Sequence, residues 1–202
     1  MYLSGSKHPA IAADLAEGTI GLLATPATRY TLDGVAVWAA DNGAYTGRYP
    51  GDDLFLAWLG RLAAHRPRCL FVAAPDVVAD AEATLSRLPA MADRLRMAGW
   101  PVALVGQDGM ERLEVPWHLF DWLFVGGTTD WKLGAGGVSL IRRAQAAGKR
   151  VHVGRVNTRR RYWLFRGLGC DSADGTSIAY GPDVNAARLR DWMAESVQGV
   201  MW

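Results

Sequence analysis

The sequence predicts an α/β fold, a compact (β/α)8 TIM-like barrel with some helices shortened, on three observations. Short apolar runs alternate with longer segments of helical period, the mark of repeated strand–helix units and a parallel sheet. Eight such runs can be counted, the number that closes this kind of barrel. Residues suited to chemistry recur directly after six successive runs, and barrel active sites lie at that end of the strands. At 202 residues the chain is expected to form one domain over 1–202. It is short for a fold whose usual size is about 250 residues, so some helices should shrink to loops. An open doubly wound sheet is the alternative. No Gly-x-Gly-x-x-Gly follows the first strand, so dinucleotide binding has little support.

The expected strands are Tyr2–Ser4, Gly21–Thr25, Val37–Asp41, Cys69–Ala74, Val102–Gly106, Trp122–Gly126, Val151–Gly154 and a very short one at Cys170–Ser172. Between them Pro9–Glu17, Asp53–His65, Asp80–Ala98 and Val138–Ala147 carry helical periodicity. Thr28–Gly34 and Glu111–Leu119 are short enough to be single turns. Arg159–Gly167 reads as a short basic helix, and Asp183–Val197 closes the chain.

Composition sets limits. Hydrophobic residues make up 50% and charged residues 21%, which is globular and not disordered. The net charge is only +2, so a polyanion site has to come from local clustering. Arginine is clustered, with Arg150, Arg155, Arg159, Arg160, Arg161 and Arg166 in one stretch. Two cysteines, Cys69 and Cys170, read as reduced thiols and are too few for a Cys-rich zinc site. The opening residues lack a signal-peptide layout and no apolar run is long enough for a bilayer, so a soluble, cytoplasmic protein is expected. Nine tryptophans suit core and helix packing, and leave room for a groove or a dimer face.

The strand ends supply the candidate site. They read Asp41-Asn42-Gly43-Ala44-Tyr45, Ala74-Pro75-Asp76, Gly106-Gln107-Asp108, Gly126-Gly127-Thr128, Gly154-Arg155-Val156-Asn157 and Asp171-Ser172-Ala173-Asp174. Asp76 and Gln107 offer acceptors and a donor–acceptor amide. Gly126 and Gly127 let backbone approach a flat ligand, and Tyr45 offers a face for stacking. Together these suit the edge of a purine. The plainer alternatives are a helix cap for Asp76, a loop residue for Gln107, a tight turn for the glycine pair and core packing for Tyr45. Further on, a dense basic helix stands just before two carboxylates, Asp171 and Asp174. That suits an enzyme that holds a polyanion and attacks it with an oxygen nucleophile, or else a solvated helix followed by an acidic turn.

The order of these motifs resembles the tRNA-guanine transglycosylase superfamily, and most closely its phage and bacterial 7-deazapurine DNA-modification branch (DpdA-like). The resemblance covers roughly Val37 to Thr176. An Asp-Ser-Gly-Gly-aromatic motif is matched by Asp41-Asn42-Gly43-Ala44-Tyr45, with Asn42 and Ala44 departing from it. A later Asp is matched by Asp76, and the Gln of a Val-Gln-Gly-Gly-like motif by Gln107. A Gly-Gly pair is matched by Gly126-Gly127, and a Gly-Val-Gly turn loosely by Gly154-Arg155-Val156. A Gly-x-Asp-x-x-Asp motif is matched by Gly169 to Asp174.

The resemblance implies exchange of guanine in a nucleic acid for a 7-deazaguanine base (preQ0-like). Asp174 would be the nucleophile at C1′, and Asp41 the second carboxylate, an acid/base or orienting group. Asp76, Gln107, Gly126, Gly127 and Gly154 would form the base pocket, with Tyr45 and Val153 sandwiching the ring. Arg155, Arg159, Arg160, Arg161 and Arg166 would hold backbone phosphates. The target nucleotide would leave its stack to be attacked. The tRNA enzymes carry a zinc site of three cysteines and a histidine. This sequence has no such cluster, so no metal and no cofactor is expected, and DNA is the expected polymer. The implied partners are DNA and a free 7-deazaguanine base, with no membrane. A homodimer or an accessory protein is left open, as is a host-cytoplasm location for a phage-encoded chain. The rivals are tRNA-guanine exchange, base release without replacement, and a non-enzymatic nucleic-acid-binding barrel.

Overall fold

A computed structural model describes residues 1–28 and 31–195. Eight parallel strands close in chain order: β1 (Tyr2–Ser4), β2 (Ile20–Ala24), β3 (Trp38–Ala40), β4 (Cys69–Ala73), β5 (Val102–Gly106), β6 (Trp122–Val125), β7 (Arg150–Val153) and β8 (Ser172–Gly175). β8 pairs with β1, Leu3 opposite Asp174. The protein is a small (β/α)8 barrel. The helices are α1 (Ala12–Glu17), α2 (Asp52–Arg61), α3 (Ala81–Met97), α4 (Thr129–Leu133), α5 (Ala135–Ala146), α6 (Arg159–Gly167) and α7 (Pro182–Ala194). As expected, the crossovers after β2 and β5 are trimmed. The described part of the first forms turns, and the second holds only the 3-10 turns Met110–Arg112 and Trp117–Leu119. Arg29 and Tyr30, and the end of the closing helix expected beyond Glu195, lie outside the described residues. Among those described, no helix is long and apolar enough to cross a membrane.

Side chains alternate along each strand, as the pleat requires. Leu3, Leu23, Ala39, Phe71, Ala103, Val105, Trp122 and Phe124 form a buried cluster that fills the barrel. The opposite parity, including Tyr2, Leu22, Trp38, Val72, Leu104, Val151 and Val153, joins the larger cluster beneath the helices. Strands buried on both faces read as near-continuous apolar runs, from which β7 and β8 depart at His152, Ser172 and Asp174. Trp38, Trp58, Trp100, Trp122 and Trp163 are buried, so most of the tryptophans do core work.

Of the bounds that differ from expectation, three have a clear local reason. The helix expected from Val138 begins at Ala135, behind the short α4. Gly134 to Gly137 reads as a loop, yet a Cβ at Gly136 would lie 2.7 Å from the Trp131 indole and one at Gly137 would press on the Lys132 backbone. Those glycines let α4 and α5 pack closely. The Asp53–His65 helix ends at Arg61 and passes into a 3-10 segment containing Pro67. The last strand is Ser172–Gly175, not Cys170–Ser172. Asp174 is therefore in the strand, and Asp171 stands before it at the opposite end of the barrel. There the Asp171 carboxylate accepts from the Val151 N–H at 2.8 Å and its carbonyl accepts from the N-terminal ammonium at 2.9 Å. Asp171 has no part in the site.

Candidate active site

The inward parity of five strands continues one step past the barrel's upper layer. Ala39 leads to Asp41, Val105 to Gln107, Phe124 to Gly126, His152 to Gly154 and Ser172 to Asp174. These residues open onto one cavity of about 300 Å³ at the C-terminal end of the strands, together with Asp76, Gly127, Tyr45 and Arg155. Nine of the predicted residues thus meet in one place.

Asp76 is clamped between two amides. Asn42 Nδ2 donates to Oδ1 at 2.8 Å and Gln107 Nε2 to Oδ2 at 2.7 Å. Asn42 also donates to the Ala74 carbonyl, and Gln107 Oε1 accepts from the Ala79 N–H. Burial holds the Asp76 carboxyl above the usual carboxylate range, against the pull of these donors. Asp76 is not a helix cap: Asp80 caps α3. Thr128 caps α4, its side chain accepting from the Trp131 N–H. Asp41 accepts from the Gly43 N–H at 2.8 Å. Burial pushes its carboxyl up to about 6, with repulsion from Asp174 and Asp76 adding to the effect.

Asp174 is buried with each oxygen held by one donor. The Arg155 N–H donates to Oδ1 at 3.1 Å, and His152 Nε2 lies 2.9 Å from Oδ2. The carboxylate puts the proton on Nε2, and Nδ1 meets the Ser172 hydroxyl at 2.8 Å. His152 is fully buried in the barrel, edge-on to Phe124. A Cβ on Gly154 would come 2.7 Å from the Phe124 ring, so only glycine leaves room between that ring and the carboxylate.

Gly127 is left-handed at φ 38°, and a Cβ there would run into the Trp131 ring. Arg155, itself left-handed at φ 61°, donates its guanidinium to the carbonyls of Gly126 and Gly127. It also stacks on the Tyr45 ring, 4.3 Å from guanidinium carbon to centroid. Since Tyr45 follows β3 and Arg155 follows β7, this stack spans the mouth of the barrel.

Other expectations need correction. Val153 is fully buried in the layer beneath the helices and has the wrong parity to touch a base; Phe124 is the apolar face that lines the cavity. Arg159 forms a two-pronged pair with Glu195, and Arg166 donates to the Met193 carbonyl while covering Trp163. Both arginines brace α7. Arg160 is exposed and Arg161 half-buried on the same helix.

Three residues of the site escaped the sequence reading. Asn42 registered only as a departure from a motif. His152 hid in an apolar run, and Lys132 in a glycine-rich stretch. Among the described residues, no three His, Cys, Asp or Glu side chains are grouped to hold a metal ion.

No protein-family model matches the chain, and no curated protein matches it. It is similar to a solved Silicibacter pomeroyi DSS-3 protein described as a glycerophosphoryl diester phosphodiesterase. The identity is 13% and the TM-score 0.47, over 82% of this chain and 54% of that one, so the chain spans about half its length. It is also similar to the YdjI aldolase of Escherichia coli K12, at 9% identity and a TM-score of 0.48, over 94% of this chain and 80% of that one. Neither likeness bears on the residues of the site.

Proposed function

We propose that the chain is a DNA guanine transglycosylase that exchanges guanine for a 7-deazaguanine base through a covalent Asp174–sugar intermediate. The observation that carries this reading is the cyclic order of groups round the mouth. From β3 to β8 they are Asp41, Asp76, Gln107, Gly126-Gly127, Arg155 and Asp174, facing one cavity. Round a guanine, starting beside the sugar, the order is N3, the N2–N1 donor edge, O6, position 7 and back to N9. A carboxylate suits N1–H and N2–H, an amide or backbone donor suits O6, and a nucleophile belongs beside C1′.

An Asp174 oxygen forms a bond to C1′ as the C1′–N9 bond breaks, and the electron pair leaves with guanine. Asp41, whose carboxyl is raised to about 6, donates a proton to the departing base. A raised carboxyl is the form of this group able to do so near neutral pH. The incoming base returns a proton to Asp41 and attacks C1′ through N9. Asp174 leaves as a carboxylate, steadied by His152 and the Arg155 N–H. Tyr45 and Phe124 offer faces for the ring. DNA is preferred over tRNA because the sequence lacks the three-cysteine, one-histidine cluster of the tRNA enzymes. The flipped nucleotide is then held by phosphate contacts to Arg160 and Arg161.

Incorporation of labelled guanine into DNA and, in a parallel arm, into tRNA tests the proposal. Asp174→Asn keeps the shape of the residue and should abolish incorporation while leaving the fold intact. Full activity in that variant removes Asp174 as nucleophile. Uptake by tRNA alone overturns the polymer, and release of base without incorporation overturns exchange.

A further inference from the structure

Lys132 is buried, at 2% exposure, with no carboxylate bonded to it among the described residues. A lysine is almost never so placed unless it is paired. Its ammonium donates to the Gly154 carbonyl at 2.7 Å. That carbonyl and the Arg155 N–H are the two ends of one peptide group, and the N–H donates to Asp174 Oδ1 at 3.1 Å. We propose that Lys132 is a positioning residue that acts on Asp174 through the single peptide group between Gly154 and Arg155.

The physical logic is that of coupled hydrogen bonds. A cation on the carbonyl draws electron density through the amide and makes its N–H a stronger donor to the carboxylate. It also fixes a peptide that must hold Arg155 left-handed, a costly conformation for a residue with a side chain. An ammonium in direct contact would occupy lone pairs that the nucleophile needs. Acting through the amide, it steadies the carboxylate and leaves the reacting face clear. A glycine and a tight helix pair make room for it: a Cβ at Gly137 would press on the Lys132 backbone.

The charged groups facing the amine are Arg155 from the turn after β7, Arg161 from α6, Asp174 from β8 and Asp108 from the end of β5. Burial, followed by repulsion from Arg155, brings the amine down to about 7. The relay is therefore expected to be on below this pH and to fade above it.

The role of Lys132 in catalysis rests on Asp174 being the nucleophile, but the relay itself can be read without turnover. In 15N-labelled protein, the Arg155 backbone amide shift should titrate near pH 7. That step should be absent in Lys132→Met and in Lys132→Arg, whose side chain stays charged. A wild-type amide that shows no such step, or a step that survives in Lys132→Met, overturns the relay. The wild-type measurement decides even if a variant fails to fold. In exchange assays Lys132→Met should lower kcat about 10- to 100-fold with little change in KM for the base, and Lys132→Arg should restore part of it. Unchanged kcat in a folded Lys132→Met protein overturns the catalytic role. If wild-type protein incorporates no guanine at all, the proposed function fails while the amide titration still stands or falls by itself.

Discussion

Asp41 sets two demands against each other in one side chain. Its carboxyl is held up at about 6, first by burial and then by repulsion from Asp174 and Asp76. That suits a proton donor, and it also makes the ionised form costly. The fold binds this proton more tightly than the unfolded chain does. The stability it contributes is fully present below the ordinary carboxylate value and is lost as pH rises through about 6. At about pH 7 the ionised group costs on the order of 1–3 kcal/mol. Asp41→Asn removes that cost and the acid together. Thermal melts should show the variant more stable than wild type by several degrees at about pH 7.5, with little difference at about pH 4, and base exchange should be largely lost. An equal shift at both pH values would show that ionisation is not the cause. Asp76 is raised by burial too, so Asp41→Asn should keep part of the same pH trend.

At the scale of elements, α6 divides its arginines by face. Arg159 and Arg166 are seven residues apart, nearly two turns, and share the stripe against α7. Arg160 and Arg161 lie off that stripe. The proposed phosphate contacts therefore fall to the second pair. Arg160→Ala should weaken DNA binding without regard to sequence and reduce the slope of log K against log salt by about 1. Arg159→Ala should loosen α7 and leave that slope unchanged, and titrations of labelled DNA across salt concentrations check both. The sequence marked the bounds of α6 correctly but could not divide its charges. A run of arginines looks uniform until Glu195, 36 residues beyond Arg159, takes one of them. The α4–α5 corner was hidden for a related reason. Glycines used for close packing look like glycines used for a turn, and Lys132 went unnoticed among them.

Across the whole molecule, the barrel was legible because strand–helix alternation is a long-range pattern, and the position of the candidate site was inferred from the fold. Parity was not legible. In strands buried on both faces apolar residues point both ways, and the one polar side chain of β7 that faces inward, His152, stood in an apolar run; the valine beside it was assigned to the pocket and the histidine passed over. The site also depends on closure. β8 carries Asp174 between β7 and β1, and Leu3 stands opposite Asp174 in the register. The proposed nucleophile is thus placed only when the first strand meets the last. Leu3 is fully buried in the barrel interior. Leu3→Ala should cost about 2–5 kcal/mol and lower Tm by roughly 5–15 °C for a chain of this size. Because the seam and the site are one structure, binding of labelled guanine and far-ultraviolet dichroism should be lost in a single coincident transition, shifted together in the variant. Loss of base binding well below the dichroism transition would mean that the pocket opens independently of the closing seam.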